Sequence, residues 1–172
     1  MNVHLQTPRL TLRDLEQKDA LALFELDSNP EVMKFLRKPS QSIEESQAMI
    51  EYIRAQYIQN GIGRWMVEHR EMGAFMGWCG LKFMNDCVLN GKTNFHDLGY
   101  RLLPAYWQQG YAFEAAEACC TYAFEVMKLP LLVGFADVEN TGSCRIMEKL
   151  GFQIIEDFYY ENQSHHWYEK TL

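Results

Sequence analysis

Two short segments carry the residue types that can hold an anion and move a proton. The run Leu102-Leu103-Pro104-Ala105-Tyr106-Trp107-Gln108-Gln109-Gly110-Tyr111-Ala112 joins a strand-like stretch to a helix that begins after Gly110. The first backbone N–H groups of a helix lack intrahelical partners and lie at the positive end of its dipole, so such a turn can hold a phosphate. Gly110 and Ala112 suit that role by being small, because an anion's oxygens must reach the backbone without meeting a side chain. An ordinary strand-to-helix turn would have the same composition. The second segment is Asn140-Thr141-Gly142-Ser143, ahead of a helical run that stops at Gly151. Asn140 suits the N-cap and Gly151 the C′ position, but neither requires a serine in the first turn, where its hydroxyl would face the same sheet edge as the Gly110 turn.

The elements that must position these segments follow from hydrophobic periodicity. Leu5 to Leu12 reads as one strand, followed by a helix from about Asp19 to Asp27 that Asn29-Pro30 breaks. A longer helix starts after Ser42, where Ser42-Ile43-Glu44-Glu45 is a capping box, and sets Ala48, Met49, Tyr52, Ile53, Gln56 and Tyr57 near one stripe before Gly61 closes it. Short apolar runs around Trp65–Val67, Phe75–Leu81 and Leu98–Leu102 read as strands, with Asn90-Gly91 as a hairpin turn. After Gly110 comes a helix striped by Ala112, Ala116, Cys119, Ala123 and Met127, then a buried strand over Leu131–Ala136. Phe152–Tyr160 and His166–Lys170 form a last antiparallel pair. The order is β-α-α-β-β-β-α-β-α-β-β, an antiparallel meander followed by one strand-helix-strand crossover that pairs its strands in parallel.

In that order, Leu98-Gly99-Tyr100, Tyr106 to Ala115, Asn140-x-x-Ser143 and Glu148-Lys149-Leu150-Gly151-Phe152 together resemble the GNAT superfamily of acetyl-CoA-dependent N-acetyltransferases. Thr7-Pro8-Arg9-Leu10-x-Leu12-Arg13 and Asp27 to Val32 are similar, more narrowly, to the RimJ/RimL-like branch of ribosomal-protein N-terminal acetyltransferases, so the resemblance covers nearly the whole chain. It implies a mixed α/β fold with a mostly antiparallel central sheet of about seven strands and helices on both faces. Acetyl-CoA, the acetyl donor, would lie in a splay between the strand ending at Leu103 and the strand Leu131–Ala136. Backbone N–H groups of Gln108, Gln109, Gly110, Tyr111 and Ala112 would hold its pyrophosphate, and the pantetheine would pair with the backbone near Leu102 and Leu103. Asn140 would bond the pantetheine arm, and Ser143 would sit near the thioester sulfur. Trp107 departs from the superfamily pattern, which places Arg or Gln there, so the phosphate contacts implied are those of the backbone.

Moving acetyl from a thioester to an amine needs a neutral nucleophile, stabilisation of an oxyanion, and a proton for the departing thiolate. An α-amine with a pKa of about 7.8 is roughly a tenth neutral at pH 7, whereas a lysine at about 10.4 is neutral around once in a few thousand. A protein N-terminus is therefore the acceptor that asks least of a base, and it is the one the branch resemblance implies. Small-molecule amines, namely amino sugars, polyamines or amino acid derivatives, are the alternative, as is a catalytically silent acyl-CoA-binding module. Asp97 occupies the strand position where related acetyltransferases place a glutamate; being one methylene shorter, it suits proton transfer through water. Glu161, near the end of the penultimate strand, is a second base, and Ser143 is the acid. The oxyanion would meet a backbone N–H near Leu102 or Leu103.

Composition narrows the setting. The chain has 172 residues, 48% of them hydrophobic and 23% charged, which fits one globular domain over residues 1–172 and argues against disorder and coiled coil. With 16 Lys+Arg against 23 Asp+Glu, the net charge of −7 argues against nucleic acid or an anionic membrane as a partner and suits an amine. Five cysteines without C-x-x-C spacing, no basic-then-apolar leader and no long apolar run point to a cytoplasmic protein. Oligomeric state, a homodimer included, stays open. His165 and His166 are strand neighbours that point to opposite faces, and the other histidines show no ligand spacing, so no metal is expected.

Overall fold

The computed structural model describes residues 2–36 and 38–172. Among them, one sheet holds eight strands: β1 (Val3–Gln6), β2 (Leu10–Arg13), β3 (Arg64–His69), β4 (Phe75–Met84), β5 (Phe95–Leu102), β6 (Leu131–Asp137), β7 (Gln153–Tyr160) and β8 (Gln163–Thr171), ordered β1-β2-β3-β4-β5-β6-β8-β7. The helices are α1 (Ala20–Ser28), α2 (Ile43–Asn60), α3 (Tyr111–Thr121, prolonged by a π turn to Val126) and α4 (Thr141–Lys149). No helix of the described residues is long and apolar enough to cross a membrane.

The N-terminal segment is a hairpin and not the single strand read over Leu5–Leu12, which raises the strand number from about seven to eight. Pro8 has no N–H to give a ladder. Thr7 closes the turn instead: its backbone N–H donates to the Leu10 carbonyl, and its hydroxyl accepts from Leu10 N–H at 2.9 Å. The α2 cap is as the sequence predicts, with Ser42 accepting from Glu45 N–H and Gly61 in the left-handed region at φ 69°. Its buried stripe matches only in part, at Ile53, Gln56 and the half-buried Tyr57. Ser46, Ile50, Ile53 and Gln56 face inward, whereas Ala48, Met49 and Tyr52 lie on the outer side.

Strand alternation sorts the core into two layers. Trp65 and Val67 of β3, Leu98 and Leu102 of β5, and Leu132 and Ala136 of β6 pack with Ala116, Cys119, Ala123 and Met147 of the α3 and α4 side. Met66 turns the other way, to Leu23 and Leu26 of α1 and Ile50 and Ile53 of α2. All five cysteines are free thiols, and four of them are buried.

The sheet is antiparallel except at β5 and β6, which the α3 crossover makes parallel. Those two strands register at a single rung, Asp97 opposite Val133, although β5 runs on to Leu102 and β6 to Asp137. Past that rung they part, leaving a gap through the middle of the sheet.

Candidate active site

The gap holds a cavity of about 200 Å³. Its lining comes from both faces: Tyr100, Asn140 and Ser143 from the α3 and α4 side, and Arg64, Asp97 and Arg101 from the α1 and α2 side. It adjoins a larger cavity of about 490 Å³, with which it shares Phe35, Leu36, Arg101, Phe135 and His165. The outer cavity opens between α1, α2 and the β7–β8 turn, and among the described residues its charged lining is Asp27, Glu45 and Glu161 with Lys38 and Arg101.

The sequence-predicted residues fall into three places. Asp97, Asn140 and Ser143 come together on the inner cavity. Gln108 to Ala112 form the turn into α3 at the far end of β5. Glu161 joins neither group: it is the first residue of the β7–β8 turn, at φ 49° with Asn162 at 66°, and lines only the outer cavity. It directly follows β7, near the strand end as expected, and the two consecutive left-handed residues make the hairpin turn.

At the α3 turn, Gln108 (φ 59°) and Gly110 (φ 80°) both adopt left-handed backbone, and the first helical bond runs from Glu114 N–H to the Gly110 carbonyl at 3.0 Å. The N–H groups of Tyr111, Ala112 and Phe113 precede that bond, as the N-terminal donors of a helix do. A β-carbon on Gly110 would approach only Arg9 Nη2, at 3.4 Å, so the surface is open to an anion. Trp107 plays no part in this surface; its indole N–H donates to the Leu102 carbonyl at 2.7 Å and fixes the loop to β5.

Arg9, at the tip of the β1–β2 hairpin, holds the turn in place. It donates through Nε to Glu114 at 2.6 Å and through Nη1 to the Gln109 carbonyl at 3.0 Å, and its guanidinium lies 4.2 Å from the centre of the Tyr111 ring. Thr7 Oγ1 also donates to Glu114, at 2.6 Å. Burial pushes the Glu114 carboxyl up, but the Thr7 and Arg9 bonds outweigh it and hold the group below its ordinary value. The clamp's contribution is therefore full above the ordinary glutamate value of about 4.3 and is lost as pH falls through the lower folded value. Glu114→Gln should reproduce the acid state at neutral pH, weakening CoA severalfold in calorimetry with little change in amine KM.

Leu102 and Leu103 divide their roles. Leu103 N–H donates to the Met76 carbonyl at 2.9 Å, so it is spent in the sheet and cannot meet an oxyanion or pantetheine. Ladder alternation then turns the backbone of Leu102, opposite Gly77, and of Tyr100, opposite Cys79, toward the gap.

Three residues that sequence reading missed, Arg64, Tyr100 and Arg101, build the floor together with Trp78. Arg64, on β3, reaches across β4 to pair with Asp97 on β5 and to donate to its carbonyl at 2.9 Å. This path exists because Gly99 has no side chain; a β-carbon there would lie 2.7 Å from Arg64 Nη2. Glycines inside strands, here Gly80 and Gly99, are the signal that could have found it. Arg101 pairs with Asp27 at 2.5 Å, and both guanidiniums lie over the Trp78 ring, 5.4 and 5.0 Å from its centre. Asp97 is 2% exposed; Arg64 takes its Oδ2, and Oδ1 is buried with no partner among the described residues. Burial pushes this carboxyl up, and the Arg64 charge pulls only part of the way back.

A parallel strand pair that parts over a cavity, a helix N-terminus at its far end and a wider mouth behind it sit within one mixed α/β architecture. A family model for the acetyltransferase (GNAT) domain matches residues 9–153. The chain belongs to that family of N-acetyltransferases, whose acetyl donor is acetyl-CoA. It is 30% identical over 162 residues, 92% of this chain and 89% of the relative, to the uncharacterized N-acetyltransferase YoaA of Bacillus subtilis. Its fold matches a ribosomal-protein-S5-alanine acetyltransferase from Vibrio fischeri with a TM-score of 0.78, at 15% identity over 99% of this chain and 97% of that one. It also matches the spermidine N-acetyltransferase of Vibrio cholerae in complex with CoA and spermine, with a TM-score of 0.77 at 20% identity over 96% of both chains.

Proposed function

We propose that this acetyltransferase acts on protein N-terminal α-amines in the manner of the RimJ/RimL-like branch, by direct attack in a ternary complex. The observation that carries the proposal is the cavity through the sheet, which joins a donor side bearing Asn140 and Ser143 to an acceptor side that widens into the mouth. The acetyl-CoA pyrophosphate rests on the N–H groups from Gln108 to Ala112, and the pantetheine runs along the gap-facing backbone of Tyr100 and the N–H of Leu102 toward Asp97, the Leu102 carbonyl being held by Trp107. Asn140 spends its Oδ1 on the Ser143 N–H, at 3.2 Å, so its amide Nδ2 is the group that serves the pantetheine.

Of the two carboxylates, Asp97 lines the same cavity as Ser143 and Glu161 does not, which favours Asp97 as base. Its unpartnered Oδ1 receives the amine proton, directly or through a water, while Arg64 fixes the other oxygen. A carboxyl raised by burial is better matched to an α-amine than an ordinary aspartate. Ser143 supplies the proton to sulfur. An acceptor that is already partly neutral at pH 7 asks no more than this of its base.

Thiol release from acetyl-CoA against a panel of amines at equal concentration tests the reading. Unblocked peptides should turn over fastest, and the same peptides with formylated N-termini should give nothing. Turnover confined to amino sugars, polyamines or free amino acid derivatives would replace the peptide reading with the small-molecule one. Tight acetyl-CoA binding with no turnover on any acceptor would leave a silent binding module.

A further inference from the structure

Tyr100 has no assigned part in this chemistry, yet its hydroxyl reaches the one group proposed as acid. Its Oη lies 3.0 Å from Ser143 Oγ and 3.1 Å from the Ser143 carbonyl oxygen. A phenol has one proton to give, and a serine hydroxyl has one. If Tyr100 donates to the carbonyl, Ser143 is left to donate to Tyr100, and its proton points away from the cavity. If Tyr100 donates to Ser143 Oγ, the serine proton is turned outward into the gap where the sulfur departs. The Ser143 carbonyl, in the first turn of α4, already has a helical donor within reach four residues on, which favours the second arrangement.

We infer that Tyr100 is a positioning residue that donates to Ser143 Oγ and so aims the Ser143 proton at the leaving sulfur. The inference rests on Ser143 acting as the acid. In the step itself the amine nitrogen bonds to the acyl carbon, and the carbon–sulfur bond breaks with its electron pair on sulfur. Ser143 gives its proton to that sulfur and recovers one from water, which balances the proton the amine gives up to Asp97. Tyr100 ends as it began. Its burial among Cys79, Cys120 and Cys144 holds the phenol well above its usual range, so it stays protonated and orients its neighbour without ionising.

The test is a double-mutant cycle on the full chain, read as the single-turnover rate of thiol release with saturating acetyl-CoA and as CoA affinity by calorimetry. Ser143→Ala should slow release by about a hundredfold and Tyr100→Phe by about tenfold, both with CoA affinity within about twofold of wild type. Because Tyr100 acts only through Ser143, the double variant should be no slower than Ser143→Ala alone. Multiplying losses, or a Tyr100→Phe rate equal to wild type beside a slow Ser143→Ala, overturns the inference and leaves the acid reading standing. A Ser143→Ala rate equal to wild type overturns both. A Tyr100→Phe variant that lowers only the melting temperature or CoA affinity shows a structural tether between β5 and α4 and also overturns it.

Discussion

Gly110→Asp should lower affinity for CoA by roughly a hundredfold or more, about 2.7 kcal/mol. The backbone there is left-handed, at φ 80°, so any side chain carries some strain, and asparagine and aspartate tolerate that region best. The two are nearly equal in size, and a β-carbon at this position meets only Arg9 Nη2. Gly110→Asn therefore separates shape from charge. An aspartate would occupy the helix N–H groups with its own carboxylate, draw Arg9 onto itself and repel a pyrophosphate; the amide would do only the first of these, and weakly. Calorimetry on both variants should find the asparagine form losing affinity severalfold and the aspartate form close to the detection limit. Equal affinities would mean that the pyrophosphate does not rest on this turn.

Asp97→Asn should cut kcat/KM by about a hundredfold or more, the usual range for loss of a general base, with CoA affinity kept. The amide still offers an oxygen to Arg64 but no charge, and a buried cation that loses its partner costs about 3 to 5 kcal/mol when the loss is complete. A fall in melting temperature is therefore expected as well and decides nothing about chemistry. The pH profile decides. With Asp97 as base, the wild-type rate declines on the acid side through a value above the ordinary aspartate pKa of about 3.9, because burial raises it. That limb should vanish in Asp97→Asn. A variant within threefold or so of wild type, with the limb intact, would move the base elsewhere, Glu161 being the other carboxylate of the two cavities with a claim to it.

What could be read from the sequence depended on how local its cause is. The crossover was legible because Gly110, the alanine stripe of α3 and Pro130 each act within one turn of chain. The cap at Asn140 was legible for the same reason. The N-terminal hairpin was not, since the run from Leu5 to Leu12 has the length of one strand, and only the odd spacing of Leu5 from Leu10 and the missing proline N–H argue otherwise. Periodicity also placed Met49 and Tyr52 of α2 in the core. Met49 in fact lines the outer cavity, and the Tyr52 hydroxyl reaches Asp86. An apolar stripe does not say whether it faces packed side chains or the wall of a substrate pocket.

Arg64 marks the limit most clearly. Its role depends on three strands lying side by side and on Gly99 leaving room above β5, neither of which is a property of the sequence around residue 64. Tyr100 sat inside the run that carried the family resemblance, but its partner is 43 residues away, in α4. The catalytic arrangement is thus legible where a motif fixes it and hidden where packing across the sheet fixes it.

One measurement bears most directly on the proposed reaction: mass spectrometric mapping of the acetyl group on a short peptide that carries both a free α-amine and a lysine. The account predicts a single acetyl on the N-terminal residue at neutral pH, because that amine is already partly neutral there and the lysine is not. Acetylation of the lysine in its place, or an unmodified peptide in a reaction that consumes acetyl-CoA with a polyamine or amino sugar, would contradict it.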